Sequence, residues 1–245
     1  MAKEIKHKGI YSEYIKRPLD IVISAGALVI LSPVLGALAL LVRSRLGSPV
    51  IFTQLRPGLI DPETGTERIF RLRKFRSMTD ERDENGNLLP DEDRMTGFGS
   101  ALRSTSLDEL PELINIIKGD MSIIGPRPQL VRDMVFMSAE ERRRHTVRPG
   151  LTGLAQIRGR NALSWEGRLA SDLEYADNIT FAGDLRIFFS TLSKVFRREG
   201  ISEEGISTST DLGDYLLASG KVSREQYDAL QKEALAIIGK AEGRG

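Results

Sequence analysis

From Ile21 to Val42 the chain reads IVISAGALVILSPVLGALALLV, without a single charge, and basic residues close both ends: Lys16 and Arg17 before it, Arg43 and Arg45 after it. A run of that length can cross a hydrocarbon core as a helix. Ser32-Pro33 stands at its centre, and proline removes a helix hydrogen bond and clashes with the preceding turn, so a kink is expected there. Lys and Arg favour the cytoplasmic side of a membrane, and here both ends ask for the same side. A re-entrant hairpin broken at Ser32 and Pro33 satisfies both ends. A straight spanning helix, a cleaved signal peptide and a buried core helix are the competing readings. Ala37-Leu38-Ala39 would be the cleavage site, but the basic region ahead is long and the apolar run continues past it.

The rest of the chain reads as a water-facing domain whose chemistry is restricted by what it lacks. Cysteine is absent and the two histidines, His7 and His145, are far apart, which removes disulfides, thiolate nucleophiles, Cys-based zinc and a His-rich metal centre. A formal net charge of +1 gives no general reason to expect nucleic acid as a partner. Carboxylates, hydroxyls, Lys and Arg are left to carry function. The alternating runs VIFTQ (50–54) and RIFRLRKF (68–75) predict a short β-hairpin. TDERDENGNLLPDEDRM (79–95) lacks periodicity and reads as a mobile excursion near the active face, its acids solvated. Helical patterns follow at about 109–118, 138–146, 164–177 and 184–198, with Ser138-x-x-Glu141 as a capping box. After a Ser/Thr/Gly-rich link, a last helix is predicted from Ser223 to about Ile238, opened by Ser223-x-x-Gln226. The fold class is thus α+β, mostly α, in three parts: 1–46 with the membrane segment, a domain over 47–200, and an extension over 201–245.

SLDELPELINIIKGDMSIIGPRP, from Ser106 to Pro128, joins an acidic pair, a short amphipathic helix and a bracketed arginine. Asp108 and Glu109 fall at a predicted helix start, where unpaired N–H groups and the positive dipole end favour a carboxylate and can also receive a phosphate. A nucleophilic aspartate must be ionised, and that location helps. The same pair also reads as plain helix chemistry, because Ser106-x-x-Glu109 is itself a capping box. In Gly125-Pro126-Arg127-Pro128 two prolines restrict the backbone around one guanidinium and preorganise it for a phosphate or carboxylate; an ordinary loop ion pair is the alternative. In RKFRSM (73–78) strand alternation puts Lys74 and Arg76 on one face and Phe75 on the other, lining a wall or merely a solvated edge. RPGLTGLAQIRGRN (148–161) surrounds Arg148, Gln156, Arg158 and Arg160 with glycine turns, which let amides approach a ligand or serve structure alone. It matches neither the Walker nor the dinucleotide fingerprint.

Taken together, KRPLDIV (16–22) with the broken apolar run, KFRSM, LDELPELINIIKGDMSIIGPRP, RPGLTGLAQIRGRN, and DLEYADN with DLRIF (172–188) resemble the bacterial sugar transferases, over about residues 12–200. Within them the chain resembles the small monotopic polyprenyl-phosphate phosphoglycosyl transferases rather than members with an added N-terminal transmembrane domain. The resemblance implies a re-entrant helix-break-helix and amphipathic helices resting on the cytoplasmic face of the bacterial inner membrane. It implies Asp108 as nucleophile and Glu109 as its partner carboxylate and Mg²⁺ ligand. It also implies a ping-pong reaction that transfers a sugar phosphate from a UDP-sugar to polyprenyl phosphate. Lys74, Arg127 and Arg160 are the principal expected substrate contacts, Arg76 and Arg148 secondary ones, and Arg158 the least secure. The ISEEG segment (201–205) resembles the end of family members that use acetamido sugars, which points to an N-acetylated hexosamine donor. A homodimer is a further expected assembly. The rivals are a glycosyltransferase that releases UDP instead of UMP and a non-catalytic membrane scaffold.

Overall fold

The computed structural model describes residues 9–159, 163–197 and 210–243. Its first element is one long helix, α1 (Lys16–Leu46), entered through a π-turn at Tyr11–Ile15. Pro33 lies inside it. A proline there cannot donate to the carbonyl four residues back, and the Ser32 hydroxyl supplies the missing bond to Val29 O at 2.8 Å. The Ser-Pro pair is therefore locally compensated, and the helix continues through it.

Both ends of α1 are held by the same globular body while much of the middle is bare. At the start, Lys16 Nζ lies 2.6 Å from Asp184, Arg17 donates to the Ile116 and Ile117 carbonyls, and Asp20 accepts from the Ser122 hydroxyl and the Ile123 amide. At the far end Leu38, Val42 and Leu46 are buried in a cluster with Phe75 and Leu102. Val22, Val29, Ile30 and Leu40 are 68–76% exposed. An apolar helix with that surface needs a non-aqueous neighbour.

Two antiparallel strands follow, β1 (Ile51–Ile60) and β2 (Glu67–Phe75), with Ile51 opposite Phe75 and the register shifting between Pro57 and Ile60. β1 runs well past the Gln54 limit expected from the sequence. The charged stretch after β2 is less irregular than its composition suggests. Met78 bridges Met95, Arg82 bridges Leu88, and Asp83 accepts from the Asn85 and Asn87 amides before the short helix α2 (Asp91–Arg94).

Helices α3 (Gly97–Ser104) and α4 (Glu112–Lys118) come next, then β3 (Ser122–Ile124), α5 (Val131–Met134) and α6 (Ala139–Arg142). β4 (Gly150–Thr152) pairs parallel with β3, and α7 (Leu154–Arg158), α8 (Trp165–Asp177) and α9 (Phe181–Arg197) complete the central body. The glycines of the 148–161 motif serve backbone packing here. A Cβ on Gly150 would lie 2.1 Å from Gly125 N, and one on Gly153 2.1 Å from Gly125 O, so the two loops press main chain against main chain. A further cluster joins α5 to α8 and to the extension. Val131, Met134, Phe136, Trp165 and Leu169 pack with Leu212 of α10 (Leu212–Ala218) and Ala234 of α11 (Arg224–Glu242). The capping boxes expected at Ser138 and Ser223 are both formed.

Candidate active site

The acidic pair does not begin an α-helix. Ser106 is in the left-handed region at φ 56°, Leu107–Glu109 form a single 3-10 turn, and α4 starts only after Pro111. The expected capping box at Ser106 is absent: its side chain caps nothing, and Glu109 reaches Ser106 only through its backbone N–H. A non-glycine residue with positive φ is a strained conformation of the kind found where a site imposes its own geometry. Leu107 and Leu110 pack against the cluster containing Leu38, Val42 and Phe75, anchoring the turn apolar side down beside α1. Asp108 is nevertheless buried, and no hydrogen bond to its carboxylate is found among the described residues.

Around Asp108 the charges are tightly linked. Glu109 Oε1 takes the Lys74 ammonium at 2.6 Å and the Arg127 guanidinium at 2.7 Å. Lys74 also lies 3.2 Å from Oε1 of Glu112, a carboxyl with 2% exposure one turn further on. Alternation along β2 explains this reach, because Lys74 shares the face of Phe70 and Leu72, which pack on Leu113 and Ile116 of α4. Arg127 is fixed from behind: its carbonyl accepts from Arg144 Nη2 at 2.6 Å, and Arg144 is itself buried against Asp172 of α8.

These neighbours separate the carboxyls in acidity. Burial and then the adjacent Glu109 push Asp108 up to about 6, with Lys74, Arg103 and Arg127 pulling the other way. Burial alone would raise Glu109 too, but Arg127 and Lys74 overcome it and hold this carboxyl well below the usual range. Burial and Glu109 bring Glu112 to about 7. Asp108 thus owes its poise to burial beside a permanent carboxylate, which raises its pKa; the expected helix-start stabilisation of the ionised form is not what the fold supplies. A carboxylate that titrates near neutrality, uncommitted and in the field of Lys74, Arg103 and Arg127, has the makings of a nucleophile toward a phosphorus centre.

The chain also matches the family described as bacterial sugar transferase, over residues 11–198. It belongs to that family. A curated relative, "Uncharacterized sugar transferase EpsL" of Bacillus subtilis, is 44% identical over 209 residues, 85% of this chain and 98% of the relative. "Undecaprenyl-phosphate galactose phosphotransferase" of Salmonella typhimurium is 36% identical over 77% of this chain and 42% of its own length. "UDP-glucose:undecaprenyl-phosphate glucose-1-phosphate transferase" of Klebsiella pneumoniae is 38% identical over 74% and 40%. The chain spans about two fifths of those last two.

In this sugar transferase the remaining expected residues disperse. Arg76 is buried, donating to the Met78 and Ser48 carbonyls and pairing with Asp80, so its guanidinium ties the end of β2 to the following loop. Arg148 donates to Gly119 O and lines a cavity of about 100 Å³ with Lys16, Arg17 and Asp20 at the start of α1. Arg158 pairs with Glu174 on the surface. Arg160 and the ISEEG segment lie outside the described residues. Glu112, a third acid three residues after Glu109 in the sequence, joins the site through Lys74 although it was not among the expected residues.

Among the described residues no group of three His, Cys, Asp or Glu forms a metal cage. Oε1 of Glu109 is taken by two cations, which leaves its second oxygen and Asp108 as protein donors. Such a sparse, all-oxygen set fits Mg²⁺, which commonly uses one or two carboxylates together with substrate phosphates and water.

Proposed function

We propose that this sugar transferase moves a sugar 1-phosphate from a UDP-sugar to polyprenyl (undecaprenyl) phosphate through a covalent phosphosugar-aspartate. The observation that carries the reading is the uncommitted, buried Asp108 carboxyl beside the Glu109–Lys74–Arg127 cluster. An Asp108 oxygen attacks the phosphorus that bears the sugar, and the bond from that phosphorus to the bridging oxygen breaks, releasing UMP. An oxygen of polyprenyl phosphate then attacks the same phosphorus, and the acyl phosphate bond opens to return the Asp108 carboxylate. Lys74 and Arg127 offset charge that builds on the phosphoryl oxygens, and Glu109 holds both cations in place. Mg²⁺, held through Glu109, would supply further neutralisation of the diphosphate. The activities for which the Salmonella and Klebsiella relatives are named support this transfer and its lipid carrier. Purified protein given a UDP-sugar, Mg²⁺ and polyprenyl phosphate is expected to release UMP. Release of UDP instead would favour direct sugar transfer. A screen of UDP-sugars by UMP release tests the N-acetylated hexosamine, which we propose as donor on the likeness of the ISEEG segment.

The lipid acceptor suits the setting. Leu107 and Leu110, on either side of Asp108, touch the cluster that includes Leu35, Leu38 and Ala39 of α1, so a phosphate at the membrane surface can meet the nucleophile while its isoprenoid tail stays in the bilayer. The same body holds both ends of α1, which supports a re-entrant segment entering and leaving one leaflet, with the domain on the cytoplasmic face of the inner membrane. Exposed Phe181, Leu185 and Phe189 of α9 flank the start of α1, where Tyr11 meets Phe181 edge to face, and would rest at that surface. Cysteines introduced by Gly9→Cys and Ser48→Cys are expected to label from the same side of oriented vesicles. Labelling from opposite sides would rule out the re-entrant arrangement.

A further inference from the structure

Arg56 stands in the middle of β1 and belongs to none of the motifs already assigned. Its Nη2 donates to Gln54 Oε1 at 2.6 Å, and its Nη1 reaches Pro128 O at 3.3 Å. Its Nε is buried with no hydrogen-bond partner. Both partners are neutral, and among the described residues no carboxylate forms a salt bridge with this guanidinium. Pro128 adjoins Arg127, so the two guanidiniums border the same short loop.

The buried arginines among the described residues, Arg144 and Arg76, pair with Asp172 and Asp80, whereas the half-buried Arg17, Arg148 and Arg56 have only neutral partners there. Arg56 also faces a like charge. Burial first and Arg127 second draw its pKa down to about 10, with Arg132 adding to the repulsion and Asp133 and Glu112 opposing it from beyond pairing distance. It remains a cation at neutral pH. Those two carboxyls are otherwise engaged: Asp133 accepts the Leu130 and Leu212 amides, and Glu112 lies against Lys74. A half-buried cation without a counter-ion carries a folding cost, and one kept beside a second guanidinium carries more. An incoming anion removes that cost, and a phosphate accepts from planar guanidinium forks especially well.

We propose that Arg56 and Arg127 together form a phosphate subsite, in which Arg56 is the unassigned second cation and the ligand is a phosphate group of one of the two substrates. This rests on the phosphoryl-transfer reading of the site. Gln54, two residues away on the same face of β1, orients the Arg56 fork, and the Pro128 carbonyl links it to the loop that presents Arg127. The free donor of Arg56 then completes what Glu109 leaves open on Arg127.

The test compares wild type with Arg56→Gln and Arg56→Lys in the full chain, reading KM for UDP-sugar, KM for polyprenyl phosphate and kcat separately, together with calorimetric binding of inorganic pyrophosphate. Arg56→Gln is expected to raise one of the two KM values by about 10- to 100-fold, the range for losing one charge-assisted contact, with a smaller change in kcat. Arg56→Lys should recover part of the loss. A raised donor KM assigns the subsite to the nucleotide diphosphate; a raised acceptor KM assigns it to the lipid phosphate. Unchanged KM values with unchanged pyrophosphate affinity overturn the proposal. Should Arg56→Gln fail to fold, the wild-type Arg56 Nε–H resonance, assigned by its loss in Arg56→Lys, is expected to shift on adding millimolar pyrophosphate, and a resonance that stays put also overturns it. Pyrophosphate binding needs no turnover, so a chain that binds through Arg56 yet releases no UMP would refute the transferase chemistry and leave the subsite standing.

Discussion

Asp108→Asn is expected to abolish turnover, by about 10⁴-fold or more as for other removed nucleophiles, while leaving the protein folded and no less stable. The two effects separate because of where the group sits. Its pKa is about 6, against an ordinary carboxylate value of 3.8, so the folded protein holds this proton more tightly than the unfolded chain does. Its contribution to folding is therefore fully present at low pH and fades as pH rises through about 6. At neutral pH the ionised carboxylate is a small liability to the fold, and asparagine removes it. Thermal melting of the variant should match or exceed wild type at pH 7, and the difference should shrink below pH 5. Wild-type kcat/KM should fall as pH drops below about 6, when the nucleophile becomes protonated. A variant with full activity, or an activity profile with no acidic limb near that value, would contradict the assigned role.

Glu109→Gln is expected to do the reverse to stability and to cost activity as well. Glu109 is the shared counter-ion of Lys74 and Arg127, and its pKa lies far below the usual range, so its stabilising effect is present at neutral pH and is lost only on acidification. Removing the charge leaves Arg127 without a carboxylate partner among the described residues and Lys74 with Glu112 alone. Fully buried pairs lose roughly 3–5 kcal/mol in such a case. Arg127 is 42% exposed and partly screened by water, so a loss of about 2 kcal/mol is the better expectation here. The activity loss should be about 10²-fold or more, because the cations proposed to meet the phosphoryl oxygens are no longer held. Melting curves and kcat measured side by side check both parts. If Glu109→Gln kept wild-type melting, the ion cluster would not be the scaffold of the site.

The contrast between the two neighbours was only partly legible in the chain. The apolar run and its basic flanks could be read directly, because hydrophobic length acts locally, whereas the break expected at Ser32-Pro33 is not seen: α1 runs through Pro33, with the Ser32 hydroxyl bonded to Val29 O. The caps at Ser138 and Ser223 were legible for the same reason. The apparent cap at Ser106 was misleading. Pro111 delays α4 to Glu112, and packing of Leu107 and Leu110 on the α1 cluster favours a tight turn in which Ser106 takes a positive φ. Lys74 could be placed by strand alternation, whereas Arg76 could not, since β2 ends at Phe75 and the parity rule ends with it. The 148–161 glycines looked free to serve a ligand, yet Gly150 and Gly153 touch the backbone of Gly125, a contact that only tertiary structure reveals. Arg56 shows the same limit: an arginine within a strand has no sequence mark that tells a compensated side chain from an orphan.

The central claim is that Asp108 carries the phosphosugar covalently, and peptide mass spectrometry of protein incubated with UDP-sugar and Mg²⁺ in the absence of polyprenyl phosphate tests it most directly. The expected result is UMP release of up to one equivalent per chain and a sugar-phosphate mass on the peptide containing Asp108, both cleared when polyprenyl phosphate is added. Active enzyme that releases UMP only when the lipid is present, with no adduct on that peptide under any condition, would contradict it.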